Sequence, residues 1–163
     1  VKTQTGLVLA LKYHLSDNER LTEQMLRKLL RDNKNKLNTG FVGTPLLCNV
    51  LTEHGMTDLA YRLLLNEEYP GWLHEVKLGA TTVWERWNSL DENGRISSTG
   101  MNSLNHYSYG AVLEWIFRHV AGIDVTEQGP GGKMMRISPK VDHKLGSASA
   151  VYDSASGCYR CGW

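Results

Sequence analysis

The chain is 163 residues long, 41% hydrophobic and 21% charged, a composition that folds and that excludes a disordered or fibrous protein. A formal net charge of +1 provides no basic field for nucleic acid, and no segment strings Lys or Arg with aromatics along one face. Its longest apolar runs, residues 6–11 and 111–117, fall short of the roughly 20 residues that a membrane helix requires.

The chain opens on Val1 without Met or a leader pattern, so the sequence is expected to be cut from a longer parent. From residue 5 to residue 121 apolar residues recur at helical spacing, which predicts a mainly α protein. Leu7, Val8, Leu11 and Leu15 predict a first helix. Ser16-Asp17-Asn18-Glu19 has the form of a capping box, with Leu21, Met25, Leu26, Leu29 and Leu30 following on one face of a second helix. The short link predicts an αα-hairpin. Thr44-Pro45 predicts an N-cap and first position for a third helix ending at Gly55. Thr57 is expected to cap a fourth, running toward the break at Tyr69-Pro70-Gly71. After a polar stretch at residues 89–100, Val112, Leu113, Ile116 and Val120 predict a last long helix that stops at Gly122. Beyond it, residues 134–137, 147–152 and 157–159 read as short strands.

Cys158 and Cys161 have no second pair at metal-finger spacing, and Cys48, among Leu46, Leu47 and Val50, reads as core. His74-Glu75 lacks the second His of a zinc helix, and Gly129-Pro130-Gly131-Gly132-Lys133 lacks the hydroxyl and helix of a phosphate loop. No metal or other cofactor is expected.

Two stretches look chemical. Gly79-Ala80-Thr81-Thr82-Val83-Trp84-Glu85-Arg86-Trp87-Asn88 gathers two indoles, two hydroxyls, a guanidinium and a carboxylate. The indole faces of Trp84 and Trp87 suit the apolar faces of sugars, and a carboxylate between them is suited to proton transfer. The alternative is that both indoles are core and Glu85 pairs with Arg86 or another cation. Met101-Asn102-Ser103-Leu104-Asn105-His106-Tyr107-Ser108-Tyr109-Gly110 can hydrogen-bond a polyhydroxy ligand through Asn105 and His106, or simply cap the helix that follows. The helical pairs by themselves fit an α-solenoid interaction module as well as an (α/α) barrel.

Thr39-Gly40-Phe41-Val42-Gly43-Thr44-Pro45, Tyr69-Pro70-Gly71-Trp72, the Gly79 block and Ser103-Leu104-Asn105-His106-Tyr107 stand in an order that resembles the bacterial α-L-rhamnosidases of glycoside hydrolase family 78. The resemblance spans nearly the whole chain. It implies that residues 1–122 are αα-hairpins forming the last part of an (α/α)6 barrel, and that residues 123–163 begin a truncated C-terminal β-sandwich. It implies inverting hydrolysis of terminal α-L-rhamnosyl residues, with Glu85 as general base and His106 touching the rhamnose. Rhamnose-containing carbohydrate is then the partner. In that family the general acid lies in an earlier acidic block, and residues 1–163 hold none. The chain alone is therefore expected to be inactive, and to self-associate through an exposed barrel interface. A non-catalytic helical module and another sugar-active (α/α)6 enzyme are the competing readings.

Overall fold

The computed structural model describes residues 2–91, 93–98 and 100–163. Residues 92 and 99 of the polar stretch, and Val1, on which the expectation of a cut N-terminus rests, lie outside the described residues. The described chain forms two compact units, Val1–Ala111 and Val112–Trp163.

The first unit is built on four helices, α1 (Gln4–Lys12), α2 (Glu19–Asp32), α3 (Thr44–Glu53) and α4 (Thr57–Leu64). α1 packs on α2, α3 on α4, and α1 on α3, so each helix turns its apolar stripe inward. Leu7, Val8 and Leu11 of α1, Leu26 and Leu30 of α2, Leu47, Cys48, Val50 and Leu51 of α3, and Leu59, Ala60 and Leu63 of α4 are buried. Burial pushes the Cys48 thiol up to about 12, as befits a cysteine that serves as a small apolar core residue.

The helix starts differ from those expected because neighbouring polar groups compete for the same N–H donors. The capping box does not form. Asn18 caps α2, its Oδ1 accepting the Leu21 N–H at 2.9 Å, while Glu19 meets His14 Nδ1 at 2.6 Å and Ser16 shares a hydrogen bond with Thr22 at 2.7 Å. Gly43, not Thr44, is the N-cap of α3, because the Thr44 hydroxyl is engaged with that of Thr39 at 2.8 Å. Met56 precedes α4 without a side-chain cap, and Thr57 is its first residue. The first helix ends at Lys12, leaving Leu15 exposed.

A short helix absent from the sequence reading, α5 (Trp72–Lys77), follows Tyr69-Pro70-Gly71. Gly79 sits at φ +86, a conformation that costs a side-chain-bearing residue. It allows Gly79 N–H to reach Val76 O at 2.9 Å and Ala80 N–H to reach Glu75 O at 3.0 Å, a Schellman-type ending. The chain thereby turns back to begin the loop that carries Glu85.

Instead of one regular helix, Tyr109–Ala111 is a 3-10 turn, Val112–Trp115 (α6) is α-helical and Ile116–Val120 is a π turn closed by Ala121 N–H to Ile116 O at 2.8 Å. In the second unit Gly122 stands at φ +79, and a Cβ there would lie 2.3 Å from Pro139 N. β1 (Ile123–Val125), unforeseen from sequence, pairs antiparallel with β2 (Met135–Ile137), and β3 (Ser149–Ser154) with β4 (Gly157–Gly162). Asp124 on β1 is held by Arg118 at 2.9 Å and by Arg136, and the paired guanidinium groups hold its carboxyl below the usual carboxylate range against the opposing effect of burial. No described helix is long and apolar enough to cross a membrane.

Candidate active site

Residues 80–89 do not form a helix; they run as an irregular loop stitched along one edge to residues 102–106. Glu85 N–H donates to Ser103 O at 2.9 Å, and His106 N–H donates to Val83 O at 2.8 Å. The Thr82 hydroxyl donates to Leu104 O. Asn102 completes the seam, accepting from the Ser89 hydroxyl at 2.6 Å and donating to Ser89 O at 3.0 Å. Two stretches that the sequence presents separately are thus one piece of structure.

Glu85 and Trp87 border a depression of about 400 Å³, together with Gly40, Phe41, Tyr69, Arg86, Asn88 and Tyr109. Its wall is aromatic. Trp87 stacks on Tyr109 with ring centroids 4.0 Å apart and planes 8° from parallel, and meets the edge of Trp72 at 5.5 Å. The Trp87 indole N–H donates to Thr39 O, and that of Trp72 to Tyr109 O, each at 3.0 Å, so the polar end of each ring is satisfied where it is buried. Glu85 is half-buried and pairs with neither Arg86 nor any other described cation. It is the single carboxylate among the described residues that line the depression.

His106 does not line that depression, but its ring stacks on Phe41, which does, at 4.9 Å and 13°. Tyr107 stacks on it as well, at 5.1 Å. His106 Nδ1 accepts the Ser108 N–H at 3.3 Å, which in the neutral ring leaves Nε2 as the nitrogen that carries the hydrogen. Asn105 is exposed, and its backbone N–H donates to the Ser103 hydroxyl at 3.1 Å. Trp84 is 3% exposed and lies outside the lining of the depression. Of the two indoles flanking Glu85, only that of Trp87 borders it.

The family model described as the bacterial alpha-L-rhamnosidase 6 hairpin glycosidase domain matches residues 1–120. The chain belongs to that family. An alpha-L-rhamnosidase of Formosa agariphila is 42% identical over 99% of this chain, and one of Alteromonas sp. (strain LOR) 43% identical over the same share. The crystal structure of the Streptomyces avermitilis alpha-L-rhamnosidase complexed with L-rhamnose superposes with a TM-score of 0.93 at 37% identity over 99% of the chain. That of the native enzyme from Aspergillus terreus gives 0.95 at 34% identity, again over 99%. The chain spans 17% and 18% of the two curated relatives and 16% and 19% of the two crystallised ones.

Within this six-hairpin domain segment, the aromatic wall recruits Phe41, Tyr69 and Tyr109, none of which the sequence singled out as site residues. Beneath the loop lies another, Glu75 of α5, 3% exposed. Burial pushes its carboxyl up to about 7, against a smaller lowering effect of the Trp84 backbone. Its Oε1 has no hydrogen-bond partner and borders a second cavity of about 230 Å³ with Thr81 and Thr82. Among the described residues, no group of three His, Cys, Asp or Glu side chains is placed to hold a metal ion.

The buried acid makes stability depend on pH. Because the folded chain holds the Glu75 proton more tightly than the unfolded chain, stability is greatest below the ordinary carboxylate value and falls as pH rises through about 7. At 1.36 kcal/mol per tenfold change in proton affinity, the loss is at most about 3 kcal/mol. Thermal unfolding of Glu75→Gln beside the wild-type chain should show a wild-type decline between pH 5 and pH 8 that the variant lacks. Parallel declines in the two proteins would refute this assignment.

Proposed function

We propose that this chain supplies the general base and part of the sugar pocket of an inverting α-L-rhamnosidase acting on terminal α-L-rhamnosyl residues. The observation that carries the reading is the seam between residues 82–89 and 102–106. It sets an unpaired carboxylate, Glu85, at an aromatic-walled depression and brings His106 onto the neighbouring Phe41. Family membership and relatives named alpha-L-rhamnosidase over the full chain length support it.

In this mechanism Glu85 takes a proton from a water molecule. The water oxygen attacks the anomeric carbon as the bond to the aglycone oxygen breaks, and an acid on the opposite face protonates the leaving oxygen. Inversion needs the two carboxyl groups about 6.5–9.5 Å apart, with the water between them. Trp87 and the ring of Phe41 offer apolar faces to the sugar, while His106 Nε2–H and the Asn105 amide offer donors to its hydroxyls. The buried Trp84 serves by shaping the loop.

The acid comes from outside residues 1–163, in keeping with a chain that spans under a fifth of its relatives. Residues 1–122 are then the last hairpins of an (α/α)6 barrel and residues 123–163 the first strands of a β domain. The reading is tested by release of rhamnose from p-nitrophenyl α-L-rhamnoside by the full-length protein and its Glu85→Gln variant.

The isolated chain should give no steady turnover of that substrate. It should also self-associate at micromolar concentration by light scattering, because Leu15, Leu21, Val42, Val76 and Ile96 are all more than half exposed and apolar surface of this kind favours association. A monodisperse monomer, or sustained rhamnose release by the chain alone, would count against the proposal.

A further inference from the structure

Arg86 stands beside Glu85 on the loop and borders the same depression. It is the single cation among the described residues that line it, as Glu85 is the single anion. The Arg86 side chain is half-buried, and its guanidinium pairs with no described residue. A guanidinium carries five N–H donors and no acceptor, and taking it partly out of water without a carboxylate forfeits hydration that nothing returns. Arg118, also half-buried, is treated otherwise: Glu114 holds it at 3.0 Å and Asp124 at 2.9 Å.

The bonds that fix residue 86 leave its side chain unused. Arg86 N–H donates to the Ser89 hydroxyl and Arg86 O accepts the Ser89 N–H, each at 3.1 Å. Ser89 is fully buried and is bonded in turn to Asn102. The turn over residues 86–89 therefore settles where the Arg86 side chain begins and spends only main-chain groups in doing so.

Charge then bears on what enters. Glu85 alone would give the depression a field that repels anions, and Arg86 beside it offsets that field. A rhamnosyl unit bears hydroxyls, a ring oxygen and a methyl, none of them charged. A charge that answers the guanidinium therefore belongs to the group to which rhamnose is attached. A carboxylate suits it best, because its two coplanar oxygens match the guanidinium fork.

We propose that Arg86 is a specificity-determining residue that recognises a carboxylate on the leaving group, so that the site takes rhamnosides of acidic aglycones, a uronic acid or an aromatic acid. This rests on the reading of Glu85 as the base of a rhamnosidase. The contact exists before bond cleavage as well as during it, so it acts through KM more than through kcat.

The test uses the full-length protein and two matched pairs of substrates. One pair is p-carboxyphenyl α-L-rhamnoside and its methyl ester; the other is an α-L-rhamnosyl glucuronate and the α-L-rhamnosyl glucose of the same linkage. The quantity read is the ratio of kcat/KM for the acidic member to that for the neutral member, in which any effect common to both cancels. Arg86→Gln should lower that ratio by about tenfold in at least one pair, the loss of one hydrogen-bonded charge contact, and chiefly through KM for the acid. The pair that responds tells an aromatic acid from a uronic acid. Arg86→Lys keeps the charge and loses the fork, and should lower the same ratio by about threefold; it also serves if Arg86→Gln does not fold. A ratio unchanged from wild type in both pairs overturns the proposal, and so does an Arg86 variant that loses acidic and neutral substrates alike. If Glu85→Gln retains wild-type kcat on the neutral members, the base reading itself has failed; if Glu85→Gln falls and the Arg86 variants keep the wild-type ratio, only the recognition of acidic aglycones has.

Discussion

Replacing Glu85 with Gln in the full-length protein should, on the proposed reading, lower kcat for rhamnoside hydrolysis by about 10² or more, with KM changed by no more than a few-fold. Gln matches Glu in size and keeps an oxygen in the same place, so the depression bordered by Phe41, Tyr69, Trp87 and Tyr109 retains its shape. It cannot take a proton. A loss confined to kcat means that the interaction removed exists only in the transition state, and a factor of about 10² corresponds to about 2.7 kcal/mol of barrier. The folded state should barely register the change, because Glu85 forms no ion pair with a described residue that the substitution would break. An unchanged rate would return Glu85 to the role of a loop carboxylate and would favour a non-catalytic helical module, for which αα-hairpins alone are sufficient. Unchanged activity with a lowered melting temperature would say the same thing more strongly.

The four long helices were legible because their apolar residues repeat every three to four positions, and packing rewards that pattern wherever it occurs. Leu26 and Leu30, or Leu47 and Leu51, are buried as the spacing requires. Helix starts were less legible because a cap is decided between near neighbours. Ser16, Asn18 and Glu19 are all competent, and Asn18 prevails once Ser16 bonds Thr22 and Glu19 bonds His14. α5, with six residues between Gly71 and Gly79, is too short to show a period, and β1 is three residues long. The π turn at Ile116–Val120 preserves a helical apolar pattern and leaves no trace in it.

At the site, residue types named a chemistry without assigning it. The positions of Glu85 and His106 came from ordered motifs, and their relation through residues 83 and 103 is visible only in the fold. Trp84 and Trp87 are alike in sequence, yet only Trp87 reaches the depression. Glu75 entered the sequence reading only through the His74-Glu75 pair, which lacks the second His of a zinc helix, and nothing in that reading marked it as buried. The one signal of its burial lies downstream: the left-handed Gly79 folds the loop back over it.

Trp87→Ala should destabilise the folded chain by about 3–5 kcal/mol, the range for removing a large buried aromatic, and a stability of about 5–15 kcal/mol would leave little of it. Three losses coincide at this residue. The stack on Tyr109 at 4.0 Å and the edge contact with Trp72 at 5.5 Å disappear, aromatic contacts worth about 0.5–1.5 kcal/mol beyond area burial. A cavity opens where an indole only 9% exposed had been. Thr39 O loses the indole N–H that reached it at 3.0 Å, and that carbonyl lies one residue before the Gly40-Phe41 lip of the depression. Trp87→Phe separates these effects, since it retains a ring to stack on Tyr109 but has no N–H, and it should cost about 1–3 kcal/mol. Urea unfolding followed by circular dichroism measures both variants, and a Trp87→Ala cost below about 1 kcal/mol would show that the aromatic wall is not what holds this loop. The ordering matters for function as well. Trp87 variants should lose stability and activity together, whereas Glu85→Gln should lose activity alone, so the wall and the base part company in a measurement that needs no ligand.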